Sequence, residues 1–333
     1  MNDQTINVTR RKVLMGMAAG SLAGLSGFSA LANTHATVSV GPIKLISMSS
    51  PGAAGDTSLR LIANYMQPVI GKSVLVENRP GAGGHIAGEF ASRSRPDGST
   101  VLSSGAPLFA LRPILFPTLG YDPLQSLKPV GYTVAHLHVL LASKATNVKT
   151  LDDFVVYAKK HGSAVNYGSG GVGHPIHLYV EKIQKKFGTQ MTHIPYKGMP
   201  FAMQALVTND IQFLVLAVSD VLPYIQDGSI NLLATTGPDI PGIELNAPRL
   251  EDVYPDLAHS VWSALWVPTS TPQEIVVRLS ETLASIKDVP EYQRALSQLG
   301  MAALKGSPEE VLNQLQKEST ALRNLAQEIG LKK

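Results

Sequence analysis

The loop of small residues between Ser49 and Gly55 is the part of this sequence that most constrains its fold. A strand-like run, Ile43–Ser47, precedes the loop, and a helical pattern follows it from about Asp56. Because Asp is common at helix N-caps, we predict that Asp56 caps this helix. Unpaired N–H groups and the helix dipole at such an N-terminus favour a negative charge, and small side chains let a ligand reach the backbone. The segment therefore predicts one half of an anion-binding cleft.

The same order of local structure returns about 120 residues further along the chain. The strand-like run Val165–Tyr167 leads into the glycine-rich segment Gly168–His174, and a helical pattern extends from Pro175 to Phe187. We predict that the two loops lie in separate lobes and face one anionic ligand. Together with one further strand end, they supply the predicted ligand-binding residues, which are Ser49, Ser50, Gly52, Ala53, Gly55, Ser104, Ser169, Gly171, Val172, Gly173 and His174.

The composition limits the class of protein. With 333 residues, of which 44% are hydrophobic and 16% charged, the chain is long enough for about two domains. The formal net charge is +3, and the first 32 residues account for +2 of it. A remaining charge of about +1 does not suit a strongly basic nucleic-acid binder. The absence of cysteine excludes a disulfide framework and a lipoprotein anchor.

The N-terminal segment has the pattern of an export signal. Arg10-Arg11 forms a twin-arginine pair, an apolar run extends from Val13 to about Leu31, and Ala30-Leu31-Ala32 fits a cleavage site. We therefore expect residues 1–32 to be a twin-arginine signal peptide that directs the chain to the periplasm. An uncleaved membrane anchor and a cytoplasmic protein with a chance N-terminus are the alternatives.

After the first loop, strand-like and helical segments alternate, which indicates an α/β fold with doubly wound sheets. Val130–Ser143 is strand-like and long enough to cross between lobes, and Val261–Val267 is predicted to return. The hinge is then expected near Val139–Ala142 and Ala258–Trp262. The predicted division assigns residues 43–140 and 255–333 to lobe 1 and residues 141–254 to lobe 2.

Two helices near the C-terminus have marked starts. Thr271-Pro272-Gln273-Glu274 and Ser307-Pro308-Glu309-Glu310 both have the capping-box spacing, with Pro at the first helical position. We predict that Thr271 and Ser307 are the N-caps of these helices.

Several short motifs, in this order and spacing, resemble one known family over residues 43 to 333. The sequence is similar to the periplasmic solute-binding proteins of tripartite tricarboxylate transporters, the Bug family. The motifs that carry the resemblance are Val76-Glu77-Asn78-Arg79-Pro80-Gly81-Ala82-Gly83-Gly84, Pro96-Asp97-Gly98, Tyr121-Asp122-Pro123, Tyr167-Gly168-Ser169-Gly170-Gly171-Val172-Gly173 and Pro195-Tyr196-Lys197-Gly198.

The resemblance implies a two-lobed periplasmic binding protein, type II-like, that closes about a hinge on a small organic carboxylate. It also implies membrane transporter subunits as partners, a monomeric state, no enzymatic activity, and no cofactor or metal. The chain departs from the family pattern at Ser49, Ala53, Gly55 and His174. The identity of the ligand therefore does not follow from the resemblance.

The same residues allow other interpretations. Gly168-x-Gly170-x-x-Gly173 has the spacing of a dinucleotide-binding turn, but the end of the next predicted strand lacks the acidic residue that such a site needs. His174 is interpreted as a donor to a ligand carboxylate, and His177 as a buried residue that fixes the loop. An exported enzyme that uses His174, and a receptor for signalling instead of transport, remain as alternative functions.

Overall fold

The computed structural model describes residues 41–111, 114, 120–259 and 261–331. The predicted signal peptide, residues 1–32, lies outside this range. The described part of the chain contains eleven strands, arranged in two mixed sheets. They are β1 (Ile43–Ser47), β2 (Val74–Asn78), β3 (Thr100–Ser104), β4 (Leu127–His136), β5 (His138–Ser143), β6 (Asn166–Ser169), β7 (Thr192–Pro195), β8 (Phe213–Ala217), β9 (Ile230–Thr236), β10 (Val261–Pro268) and β11 (Met301–Ala303).

Helices cover the sheets and connect most of the strands. They are α1 (Ala54–Ile70), α2 (His85–Ser92), α3 (Ala106–Ala110), α4 (Pro123–Ser126), α5 (Leu151–His161), α6 (Pro175–Phe187), α7 (Met199–Val207), α8 (Val218–Gln226), α9 (Leu250–Val253), α10 (Gln273–Lys287), α11 (Pro290–Gln298) and α12 (Pro308–Glu328). Short 3₁₀ turns lie at Ala82–Gly84, Lys144–Thr146, Gly162–Ala164 and Pro255–Leu257. Among the described residues, no helix is both long enough and apolar enough to cross a membrane.

The first sheet has the order β11-β4-β10-β3-β1-β2. β1 pairs in parallel with β2 and β3, whereas β10 and β11 run antiparallel to their neighbours. The apolar face of α1, which includes Leu59, Ile62 and Met66, packs with Leu45 of β1 and Leu279 of α10 in one buried cluster. This burial holds the N-terminus of α1 at the carboxyl end of β1, where the first loop lies.

The second sheet has the order β7-β6-β8-β5-β9. β6 pairs in parallel with β7 and β8, and β5 runs antiparallel to β8 and β9. Its core contains the fully buried rings of Phe154, Tyr167 and Phe213. The two sheets and their helices form the two-lobed α/β architecture that the sequence predicts.

The chain passes from the first sheet to the second at Leu137. The sequence predicts one strand over Val130–Ser143, but the structure has two, and Leu137 between them donates its N–H to the carbonyl of Gly300. Its own carbonyl accepts from Val218. The predicted hinge segment Val139–Ala142 therefore lies within β5, and the crossing lies a few residues earlier. The predicted lobe boundary at residue 140 also falls inside β5.

Predicted helix starts differ in outcome. The Ser307 capping box at α12 is confirmed, with both reciprocal hydrogen bonds present. The Thr271 prediction is wrong, because Pro272 is the N-cap of α10 and the Thr271 hydroxyl is buried with no hydrogen-bond partner among the described residues. The Asp56 prediction is also wrong in position, because α1 begins two residues earlier and Ala53 is its N-cap.

Candidate functional site

A cavity of about 1200 Å³ lies between the two sheets. The first loop, the end of β3 and the turn Gly81–Gly84 line it from the first sheet. The second glycine-rich loop, the segment Tyr196–Met199 and the end of β8 line it from the second sheet. Both loops that the sequence singles out therefore face one cavity, at the carboxyl ends of parallel strands.

The predicted ligand-binding residues divide into two groups. Those that line the cavity are Ser49, Ser50, Ala53, Gly55, Ser104, Gly171, Val172 and His174. Gly52, Ser169 and Gly173 do not line it, although they lie in the same loops. These three have hydrogen bonds within the protein, and those bonds fix the shape of the two loops.

Asp56 fixes the first loop through hydrogen bonds to its buried carboxylate. Its buried carboxylate accepts from the Gly52 N–H at 2.9 Å, from Arg60 Nε at 3.0 Å and from Asn78 Nδ2 at 2.8 Å. Asn78 also donates to the carbonyl of Ser49. Burial alone raises the pKa of Asp56, but the hydrogen bonds from Arg60, Gly52 and Asn78 outweigh it and hold the pKa below its usual value. The carboxylate is therefore charged at neutral pH, and Asp56 does not line the cavity.

The backbone N–H groups of the first loop differ in whether they have a hydrogen-bond partner. Ser49 donates its N–H to Ser47 Oγ, and Ala53 donates to the carbonyl of Ser50. Among the described residues, the N–H groups of Ser50 and Gly55 have no hydrogen-bond partner. Since both residues line the cavity, these two N–H groups are the donors that the first loop can offer to an anion.

The second loop rests on side chains from α6 and β7. The Ser169 hydroxyl donates to the Gly171 carbonyl and accepts from the Gly171 N–H, and it lies 2.6 Å from His193 Nε2. Gly173 donates its N–H to His177 Nδ1. The rings of His177 and His193 are stacked, with centroids 3.9 Å apart. His177 thus fixes the shape of the loop, as predicted from the sequence.

His174 is held as a neutral hydrogen-bond donor. It is the N-cap of α6, and its Nδ1 accepts from the Ile176 N–H at 3.2 Å. Because Nδ1 accepts, the hydrogen of the neutral ring is assigned to Nε2. Burial lowers the pKa of His174 to about 4, so the ring is uncharged at neutral pH. A donor without a charge can bind a carboxylate but cannot act as a base through Nε2.

Histidines at the crossing between the sheets also line the cavity. They are His136, His138 and His259. His136 and His138 are only 5% and 6% exposed, and burial lowers their pKa values to about 3 and about 4. The ring of His138 lies between the other two, with centroid distances of 6.1 Å to His136 and 5.8 Å to His259. Sequence reasoning did not place these histidines at the cavity.

Asp220 is another cavity residue that sequence reasoning missed. It lies in the first turn of α8, in the second lobe, and accepts from the Ser219 hydroxyl at 3.2 Å. Burial raises the pKa of Asp220 to about 6, while Ser219 and the backbone N–H of Ala54 act in the opposite direction. Ala54 is the first residue of α1 in the other lobe. A carboxyl group of one lobe therefore faces the helix N-terminus that the sequence assigned to a ligand.

The cavity offers no metal centre among residues 41–111, 114, 120–259 and 261–331. No three His, Asp or Glu side chains in those ranges are arranged to hold an ion. Charged side chains that also line the cavity include Lys182, Lys197 and Glu318.

The chain is similar to a known protein family over most of its length. The model of the tripartite tricarboxylate transporter family receptor matches residues 58–331. A UPF0065 protein of Agrobacterium vitis is 31% identical over 266 residues, which cover 77% of this chain and 74% of the relative. Protein BugT of Bordetella pertussis is 28% identical over 294 residues, which cover 87% of this chain and 90% of that protein.

Solved structures share the fold. The periplasmic binding protein BugD superposes with a TM-score of 0.80 at 25% identity, over 88% of this chain and 99% of BugD. The superposition covers nearly all of BugD and most of this chain, so the two proteins share the fold. The relatives of this kind are binding proteins and not enzymes.

Proposed function

The chain belongs to the tripartite tricarboxylate transporter receptor family, and from this premise we propose that it is a periplasmic solute-binding protein. It captures a small organic carboxylate in the cleft between its lobes. It then presents the ligand to membrane transporter subunits of the same system.

One observation carries this proposal. Two loops of small residues, one from each sheet, face a single cavity, and each contributes donors without a competing carboxylate of its own. The first offers the N–H groups of Ser50 and Gly55, and the second offers His174 Nε2. Donors fixed by the fold before a ligand arrives bind a carboxylate with little loss of conformational entropy. This arrangement supports capture of an anion more than chemistry on it.

The remaining assignments follow from the same proposal. Ser49, Ser50, Ala53, Gly55, Ser104, Gly171, Val172 and His174 contact the ligand, whereas Gly52, Ser169 and Gly173 hold the loops in shape. Residues 43–140 and 255–333 form lobe 1, residues 141–254 form lobe 2, and the crossing at Leu137 is part of the hinge. Residues 1–32 direct export by the twin-arginine route, and the mature protein is a monomer without a membrane anchor.

The neutral tautomer of His174 argues against the enzymatic alternative. A general base needs an unprotonated nitrogen directed at the substrate, and the Nδ1 of His174 already accepts from Ile176. The ring therefore has a hydrogen-bond donor for a ligand but no free base on the same side.

A ligand screen followed by one matched pair of variants tests the proposal. Thermal shift against mono-, di- and tricarboxylates identifies the ligand, because a ligand that binds the folded state raises the melting temperature. Gly171 has φ +125° and lies in the cavity wall, so Gly171→Val is expected to abolish binding, measured by calorimetry.

Gly162→Val is the matched control. Gly162 also has positive φ, +54°, with no atom within 4 Å of an added Cβ, but it does not line the cavity. The control carries similar backbone strain and should keep full affinity. Unchanged affinity in Gly171→Val, or no shift with any acid, would contradict the proposed function.

A further inference from the structure

His138 presents a hydrogen-bond acceptor to the cleft. Its Nδ1 lies 3.2 Å from the backbone carbonyl of His136. A carbonyl oxygen can only accept, so the Nδ1 of His138 must carry the hydrogen of this bond. Burial lowers the pKa of His138 to about 4, which leaves the ring neutral. In a neutral imidazole with Nδ1 protonated, Nε2 has a lone pair and no hydrogen.

The Nε2 of His138 has no partner of its own in the described part of the chain. No hydrogen bond joins it to another described residue, and the side chain lines the cavity at 6% exposure. The adjacent His136 differs, because its Nδ1 is itself fully buried and has no partner among the described residues. A buried polar side chain usually has each of its polar atoms hydrogen-bonded, so an atom of His138 that lines the cavity without a partner indicates a ligand group.

His174 and His138 therefore have opposite roles in the cleft. His174 donates through Nε2, and His138 accepts through Nε2. The carboxyl group of Asp220 adds a second acceptor to the wall formed by the second sheet. A plain carboxylate could satisfy His174 and the open N–H groups, but it has no hydrogen to offer His138 or Asp220.

We propose that the ligand carries a hydrogen-bond donor, a hydroxyl or an ammonium group, beside its carboxylate, and that His138 Nε2 accepts from it. The carboxylate lies against the glycine loops and His174, and the donor lies against the histidines of the crossing. The ligand class is thus a hydroxy acid or an amino acid. This inference rests on the proposed function, since it specifies the chemistry of the same cleft.

The test uses matched acids that differ in one substituent. Succinate, malate and aspartate share one carbon chain and carry hydrogen, hydroxyl and ammonium at the same carbon. Propionate, lactate and alanine form a shorter series, and adipate, 2-hydroxyadipate and 2-aminoadipate form a longer one. In the series that binds, a donor-bearing acid should bind at least about tenfold tighter than the plain acid in calorimetry.

Variants then assign this preference to His138. His138→Leu keeps a side chain of similar size but removes the acceptor. The ratio of the affinity for the donor-bearing acid to that for the plain acid should then fall to near one. His138→Gln has an amide oxygen that can accept, and it should restore part of the ratio. His161→Leu is the control, because His161 is a histidine of α5 that does not line the cavity.

Two further measurements do not depend on the stability of the His138 variants. Nitrogen-15 NMR of the histidine rings should show His138 protonated at Nδ1, with a change at Nε2 when a donor-bearing acid is added. Asp220→Asn should reduce the preference for the ammonium-bearing acid over the hydroxyl-bearing one, because a charge is lost.

Each outcome separates the two proposals. If the plain acids bind as tightly as their substituted partners, or if His138 is protonated at Nε2, this inference is overturned while the solute-binding function stands. If no acid of any series binds, the proposed function itself fails. An unchanged affinity ratio in His138→Leu also overturns the role of His138.

Discussion

Asp56 shows how one side chain can shape a binding loop without touching a ligand. Its three hydrogen-bond donors come from the loop, from α1 and from the end of β2. We expect Asp56→Ala to lower the free energy of unfolding by about 3 kcal/mol, because it leaves the Gly52 N–H and the Asn78 amide without their acceptor. Asp152→Ala, which removes an exposed carboxylate from the first turn of α5, is the control and should change little.

The stabilisation by Asp56 should also depend on pH. Its pKa in the folded state lies below the ordinary 3.8, so ionisation favours the folded protein at all pH values well above 3.8. As the pH falls below 3.8 and through the lower folded-state pKa, that contribution is lost. The free energy of unfolding, measured in urea, should therefore be higher for the wild type than for Asp56→Asn, and this difference should narrow between pH 5 and the lowest accessible pH. A difference in free energy that does not change with pH would show that the charge of Asp56 contributes nothing.

At the residue scale, the sequence predicted where the two loops lie, but not which of their hydrogen-bond donors are free to bind a ligand. Small residues between a strand and a helix marked both loops, because local composition alone signals such turns. Which N–H groups stay open depends on partners distant in sequence, such as His193 for Ser169. For His138 the sequence predicted one continuous strand through Leu137. The break between β4 and β5, and the bond from His138 to the His136 carbonyl that sets its tautomer, were not predicted.

Among the elements, the N-terminus of α8 couples the lobes through Asp220. The pKa of Asp220 in the folded state is about 6, above the ordinary 3.8, because burial disfavours the charged form. Above pH 6 the Asp220 carboxylate is charged in the folded protein, where burial disfavours the charge, whereas in the unfolded chain water solvates it. Ionisation of Asp220 therefore lowers the free energy of unfolding. Asp220→Asn should raise stability at pH 8 by about 1–2 kcal/mol, after allowance for partial solvation, and should change little at pH 4.

The melting temperatures of the wild type and Asp220→Asn, measured without ligand at pH 4 and pH 8, test this change in stability. Asp227→Asn is an informative control, because hydrogen bonds from Ser229 lower the pKa of that exposed carboxyl group. The control should lose stability at pH 8 instead of gaining it. Equal melting temperatures for wild type and Asp220→Asn at pH 8 would count against a destabilising buried charge. A gain in stability with a loss of affinity is the pattern expected of a binding residue.

Helix starts show which element boundaries a sequence can specify. The Ser307 prediction is confirmed because its two hydrogen bonds are local: the Ser307 hydroxyl accepts from the Glu310 N–H, and the Glu310 carboxylate accepts from the Ser307 N–H. The motif at Thr271 has the same spacing, but the Thr271 backbone N–H donates to the Pro268 carbonyl and its hydroxyl is buried without a partner among the described residues. Tertiary packing after β10 therefore decided where α10 begins. The alternation of strands and helices, which many residues determine together, was the more reliable signal.

At the scale of the whole molecule, the two lobes approach each other at Ser50 and Gly198. Gly198 has φ +150°, and an added Cβ would lie 2.9 Å from Ser50 Oγ of the other lobe. The segment that contains Gly198 and the loop that contains Ser50 both line the cavity. The sequence predicted two lobes from its alternating pattern, but a contact between them depends on their relative placement and could not be predicted.

A side chain at position 198 should therefore keep the lobes apart. We expect Gly198→Val to weaken ligand binding by about tenfold or more, since closure contributes the contacts of the second lobe. Small-angle scattering should show that the wild type becomes more compact with ligand and that the variant does not. Trp262, which lines the cavity, provides a fluorescence signal for the same transition.

Gly188→Val separates closure from backbone strain. Gly188 has φ +64° at the C-cap of α6, and an added Cβ there meets no atom within 4 Å. This control should lose stability but keep the ligand-induced compaction. Adding Ser50→Gly to Gly198→Val removes the opposing side chain and should restore compaction, even if the lost hydroxyl reduces affinity. Compaction of Gly198→Val equal to that of the wild type would mean that the lobes do not close at this contact.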